Sequence, residues 1–178
     1  EIYKNIKINL PGKHNVLNAV AALAMANNFG VSLQVIAKAL LSFKGIHRRF
    51  SYRIKSDELV LIDDYAHHPT EINAVVSSVR EMYPDKKVLA VFQPHLFSRT
   101  RFDEVILLDI YPAREIPIQG IDSQWLMDKM TLKNKKLSSK NELIHNIKQS
   151  DAVIKVIIGA GDIGEMVVDI TKEFSHEN

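Results

Sequence analysis

The chain has 178 residues, of which 46% are hydrophobic, with 23 basic against 21 acidic side chains and a net charge of +2. That length suits one ordinary domain, or a domain with part of another, and the charge balance gives no electrostatic footprint for nucleic acid. Cysteine is absent, which removes disulfides and thiolate metal sites, and no apolar run approaches the ~18–20 residues of a membrane span.

The first residue is Glu1 rather than Met, and the chain reads as an excerpt of a longer protein. Residues 14–29 carry Val16, Val20, Leu23 and several alanines at helical spacing, with Gly30 as the stop. A second helix is predicted over 32–42, opened by Ser32 and carrying Leu33, Ile36, Ala37 and Leu40. The character changes after Gly45. Residues 50–55 and 58–64 read as strands that turn near Ser56-Asp57.

An alternation of strands and helices then begins. Pro69 suits the first position of a helix carrying Ile72, Val75, Val76 and Val79. Val88–Phe92 and Val105–Ile110 read as buried parallel strands, followed by a helix over 123–130 and a short strand over Lys136–Ser138. Ser139 and Glu142 have the spacing of a capping box ahead of Leu143, Ile144 and Ile147. Val153–Ile158 is a last strand, and Gly159-Ala160-Gly161-Asp162 turns it into a helix carrying Ile163, Met166, Val167, Ile170 and Phe174. The pattern predicts an α/β fold, a mainly parallel sheet with helices on both faces. One step departs from it. No helical pattern joins 88–92 to 105–110, and the reading is that a helix is missing between Arg101 and Phe102.

The chemistry concentrates after strands. Asp63-Asp64-Tyr65-Ala66-His67-His68-Pro69-Thr70-Glu71 sits at the end of one strand and the mouth of the next helix, where open α/β sheets place ligands. So many polar groups at a buried strand end are better explained by a ligand than by surface histidines. Phe92 to Arg101 follows the next strand, and its Arg99 and Arg101 can clamp a carboxylate or phosphate. The Gly159–Asp162 turn is a weaker signal, because it lacks the third glycine and the downstream acid of a dinucleotide fingerprint. His14, Asn15 and Asn18 share one face of the first helix; amides there could meet a nucleobase edge, or Asn15 could simply cap the helix. Arg48-Arg49 marks the change of composition, as a hinge, a phosphate contact or solvated charge. No Gly-x-x-x-x-Gly-Lys-Ser/Thr loop is present.

In their order, these segments resemble the Mur ligase family: Pro11 to Ala19, Gly45 to Phe50, Asp63 to Ile72, Phe92 to Arg101, Asp109 to Glu115 and Gly159 to Ile163. The resemblance implies two parts. Residues 1–46 would be the helical tail of a central ATP-binding domain, and residues 47–178 a Rossmann-like C-terminal domain. It implies ATP-dependent amide formation through an acyl phosphate, here joining L-alanine to UDP-N-acetylmuramate for peptidoglycan synthesis in the cytoplasm. The partners would be those two substrates, ATP and the protein's own N-terminal and central domains, with neither nucleic acid nor membrane insertion. Mg2+ would be bound mainly by the central domain, and no metal ligand is expected in this chain. Position by position, His14, Asn15, Asn18, Arg49 and Asp64 would contact ATP. Tyr65 and His67 would line the reacting centre, and His67, Arg99, Tyr111 and Arg114 the alanine carboxylate side. A ligase that recycles cell-wall peptides and a non-catalytic nucleotide- or amino-acid-binding module are the alternatives.

Overall fold

A computed structural model describes residues 6–94, 102–113, 116 and 118–175. The chain forms two compact units that divide between His47 and Arg48.

The first unit is a pair of helices, α1 (Lys13–Asn28) and α2 (Leu33–Ser42). Gly12, at φ 91°, precedes α1. Its other end closes in a left-handed Gly30, where the Gly30 amide donates to Asn27 O and the Val31 amide to Ala26 O. Ser32 takes the N-cap position of α2, but its side chain makes no capping bond. The Asn9 amide donates to Leu41 O at 2.6 Å. No residue of α1 is buried, and Leu17 and Phe29 stand 60% and 82% exposed. Two short helices have too little volume to enclose an apolar set of this size.

The second unit is an α/β layer structure. Its strands are β1 (Ser51–Lys55), β2 (Val60–Asp64), β3 (Val88–Phe92), β4 (Glu104–Leu107), β5 (Lys135–Leu137) and β6 (Ile154–Ile158), in the sheet order β1-β2-β6-β3-β4-β5. β1 runs antiparallel at one edge, and every other pairing is parallel. Between β1 and β2 the register slips at Arg53, a one-residue bulge.

The helices are α3 (Pro69–Met82), α4 (Ser123–Lys129), α5 (Leu143–Lys148) and α6 (Ile163–Ser175). Two cores result, one on each face. Ile72, Val75 and Val79 of α3 and Leu126 of α4 pack with Ile62, Ala90, Leu107 and Val156. On the other face, Leu143 and Ile147 of α5 and Ile163, Val167, Ile170 and Phe174 of α6 pack with Leu61, Leu89, Ile106 and Ile157. The alternation of strand residues between two apolar faces explains why the strands carry almost unbroken aliphatic runs. Lys155 is one exception, beside Asp63 and Asp64 at the end of β2. It lies buried in β6, and its ammonium donates to the carbonyls of Ser150 and Ala152.

Two sequence expectations shift. The strand expected over 105–110 ends at Leu107, because after the Leu108 amide bonds Phe92 O the chain leaves the sheet. Ser139 and Glu142 bond each other side chain to side chain, neither caps through its side chain, and α5 begins only at Leu143. β3 and β4 are parallel neighbours joined by residues 93–103, short for a crossover, although residues 95–101 lie outside the described part. No helix among the described residues is long and apolar enough to cross a membrane.

Ile157 has no solvent exposure and lies in the middle of the sheet, between β2 and β3. Ile157→Ala is expected to lower stability by about 2–5 kcal/mol through the cavity it leaves, read from urea denaturation followed by far-UV circular dichroism.

Candidate functional site

Four parallel strands end on one rung. Asp64 pairs with Ile158, Ile158 with Phe92, and Phe92 with Leu107. The next amide of each neighbour continues the ladder: Gly159 N to Asp64 O, Gln93 N to Ile158 O, and Leu108 N to Phe92 O. Tyr65, Gly159, Gln93 and Leu108 therefore leave the sheet side by side, at the carboxyl rim where such sheets bind ligands. β2 and β3 are consecutive along the chain, yet β6 lies between them. The glycine turn, a weak signal in the sequence, is thus at the centre of the rim.

The first group surrounds Tyr65. The guanidinium carbons of Arg48 and Arg49 lie 5.3 and 5.8 Å from the centre of its ring, within cation–π range. The His67 ring meets the same ring edge-on at 5.5 Å. His67 Nδ1 lies 3.4 Å from Glu71 Oε2, and Arg49 Nη1 lies 3.4 Å from Glu71 Oε1. Glu71 also accepts the amides of His67 and His68, closing the start of α3. Burial alone would raise its pKa. The two amides, with His67 and Arg49, outweigh that and hold it below the ordinary 4.5.

The two aspartates turn inward. Asp64 Oδ2 accepts the Phe50 amide and Oδ1 the Ala66 amide, both at 2.7 Å. Burial raises its pKa in spite of those bonds. Asp63 has no exposure, and its carboxylate is held by Arg48 Nε at 3.3 Å and Arg53 Nη2 at 2.7 Å. These contacts fix the loop Arg48–Phe50, in which Arg48 (φ 58°) and Phe50 (φ 49°) both adopt left-handed backbone. Non-glycine residues there cost about 1–3 kcal/mol each and persist only where the surroundings enforce them.

The second group surrounds the β6–α6 turn. Gln93, 2% exposed, accepts the Ile163 amide at 3.0 Å and donates to Asp162 Oδ1 at 2.7 Å, so it serves the orphan N-terminus of α6. Lys140 pairs with Asp162. A Cβ at Gly161 would overlap Gln93 and stand 2.6 Å from Tyr111 Cγ, so Tyr111 lies directly on the turn. The tight backbone approach explains a glycine there.

The structure thus gathers Arg49, Tyr65 and His67 in one cluster and sets Tyr111 against the glycine turn. Arg99 and Arg114 lie outside the described residues. Two candidates already bond the local backbone. Asp64 is buried, with each oxygen already on a backbone amide. Asn15 donates to Pro11 O at 2.7 Å, so its amide is occupied by the turn before α1. His14 and Asn18 are exposed on α1. Among the described residues no group of three or more His, Asp and Glu side chains could hold a metal ion. The contacts of Asp63, Gln93 and Glu71 are not evident from the sequence alone. Gln93, polar and directly after an apolar strand, carried the most legible signal.

Comparison with known proteins decides the family. Residues 48–168 match the family described as Mur ligase, glutamate ligase domain. The chain belongs to the Mur ligase family. Among its relatives is the UDP-N-acetylmuramate–L-alanine ligase of Flavobacterium psychrophilum, 61% identical over 189 residues and covering 99% of this chain and 42% of that protein. The Porphyromonas gingivalis ligase of the same name is 43% identical and covers 94% of this chain and 40% of its own length. A crystal structure of the UDP-N-acetylmuramate–alanine ligase from Thermotoga maritima superposes with a TM-score of 0.82 at 30% identity, over 99% of this chain and 41% of that one. The murein peptide ligase of Psychrobacter arcticus shares the fold, with a TM-score of 0.61 at 20% identity over 93% of this chain and 38% of that one. This Mur ligase chain spans about two fifths of the length of the curated relatives it matches.

The lowered pKa of Glu71 gives a pH dependence with a defined sign. A carboxylate held below its ordinary value contributes stability that is present above about pH 4.5 and is lost as the pH falls through the lower, folded value. The acid limb of a thermal-unfolding series is expected to be shallower in Glu71→Gln than in the wild type.

Proposed function

We propose that this chain is the C-terminal part of an ATP-dependent ligase that joins L-alanine to UDP-N-acetylmuramate. Residues 1–46 belong, on this proposal, to its central ATP-binding domain and residues 47–178 to its C-terminal domain. The observation that carries the reading is the shared rung. The acid-aromatic-imidazole segment, the glycine turn and the start of the Gln93-Pro94 segment leave one edge of the sheet together. That the relatives named above as alanine ligases resemble nearly the whole chain supports this substrate pair over peptide recycling.

The chemistry asked of such a rim is positioning. In the proposed reaction a phosphoryl group from ATP activates the lactyl carboxylate, and the alanine amine attacks the acyl phosphate, releasing phosphate. Holding the amine in line with the activated carbonyl turns a bimolecular encounter into a local one, which is worth several orders of magnitude in rate. Tyr65 and His67 line the reacting centre. Arg99, Tyr111 and Arg114 face the alanine carboxylate together with His67, and Arg49, half exposed, reaches toward phosphate oxygens. His14, Asn15 and Asn18 are the candidates for adenine, and Asp64 for the ribose hydroxyls. Magnesium, where it participates, would draw its ligands mainly from the central domain and would neutralise phosphate charge.

Two measurements test this. In the full-length enzyme, Arg99→Ala is expected to raise the KM for alanine at least tenfold and that for ATP by less than threefold, as loss of a bidentate carboxylate clamp would; equal changes in both remove Arg99 from the alanine side. The 178-residue chain alone, with no P-loop sequence, is expected to release no phosphate from ATP above background in a malachite-green assay.

A further inference from the structure

We infer that Arg48 is a positioning residue that locks the Tyr65 ring to the β6–α6 glycine turn; as a statement about catalysis this rests on the function proposed above. Arg48 touches both groups of the rim. Toward the first, its guanidinium carbon lies 5.3 Å from the Tyr65 ring centre, and its own carbonyl accepts the Tyr65 amide at 2.7 Å. Toward the second, Nη2 donates to Gly159 O at 2.6 Å. A Cβ at Gly164 would overlap the guanidinium, so the cation lies directly against the first turn of α6. Nε bonds Asp63 at 3.3 Å, and the side chain is only 16% exposed. Its left-handed φ of 58° shows that the fold enforces this placement against local preference.

Charge compensation alone does not account for the arrangement. Asp63 also has Arg53 at 2.7 Å, the shorter of its two ion pairs. What Arg48 adds is planar and multidirectional: one guanidinium serves a carboxylate, a carbonyl and an aromatic face at once. A lysine ammonium supplies the charge but is a single point on a flexible stem. Arg48→Lys should therefore keep the fold and lose the alignment. Gly164→Ala should do the same from the opposite side, by pushing the guanidinium off α6 while leaving Arg48 and Tyr65 intact.

The test has a kinetic and a spectroscopic arm. In the full-length ligase, Arg48→Lys and Gly164→Ala are each expected to lower kcat about tenfold to a hundredfold, the scale of a misplacement near 1 Å. The KM for ATP and for UDP-N-acetylmuramate should stay within twofold. Wild-type kcat in both variants overturns the inference; absence of ligase activity in the wild type overturns the proposed function instead. The second arm is independent of turnover. In two-dimensional NMR of the 178-residue chain, Tyr65→Leu is expected to shift the Arg48 Nε–H and Gly164 amide resonances, because the ring and the turn share one guanidinium. Unmoved Arg48 and Gly164 signals overturn the coupling even if the kinetic variants are impaired.

Discussion

A carboxylate with no solvent exposure at the end of a strand is tolerable only with positive charge against it, and the rim is organised around that requirement. Asp63 recruits Arg53 from the bulge in β1 and Arg48 from the loop before it. Removing one partner of a buried pair costs far more than the intact pair contributes. Duplicate guanidiniums therefore give the position some tolerance while fixing the loop that carries Arg49. Asp64 completes the loop from the other face by accepting the amides of Phe50 and Ala66. Both acids thus anchor the loop, while among the described residues Tyr65, His67 and Arg49 keep exposed surface at the rim.

The electrostatic character of the rim follows. Arg48 and Arg49 flank Tyr65, and the N-terminus of α6 lies beside them under Gln93 and Gly159. Both features favour anionic ligands. On the proposed function the rim would meet a carboxylate and a polyphosphate, and Arg48 and Arg49 place positive charge there. Glu71 moderates the field by pairing with His67 and Arg49. These outer pairs are half exposed and screened, so they orient side chains more than they stabilise the fold.

Much of the second unit was legible, because its strands are short aliphatic runs and its helices carry apolar stripes; β2, β3, α3 and α6 lie close to where periodicity places them. The order of the strands was not legible. Local pattern says that a run is buried but not which neighbours bury it, and so β6 and its glycine turn were undervalued. Leu108 and Ile110 extend the apolar signal on either side of Asp109 beyond Leu107, where β4 ends. Ser139 and Glu142 satisfied a spacing rule, yet their side chains found each other before they found the backbone. At the site, residue types pointed to the segment from Asp63 to Glu71, but not to the arginines that meet Tyr65. Residue types could not separate Asp63 and Asp64 from the rest of that segment, because the direction of a carboxylate depends on amides and arginines brought from elsewhere in the sequence.

The central position of β6 also bears on how the domain comes into being. During synthesis β1 and β2 can pair early, and β3, β4 and β5 can form a second small sheet, but both keep an open inner edge until residues 154–158 arrive. Such edges are ready templates for unwanted pairing with other chains. A nascent polypeptide halted before Ile154 would hold two half-sheets and no rim, so the binding edge and the protection against aggregation are completed by the same five residues.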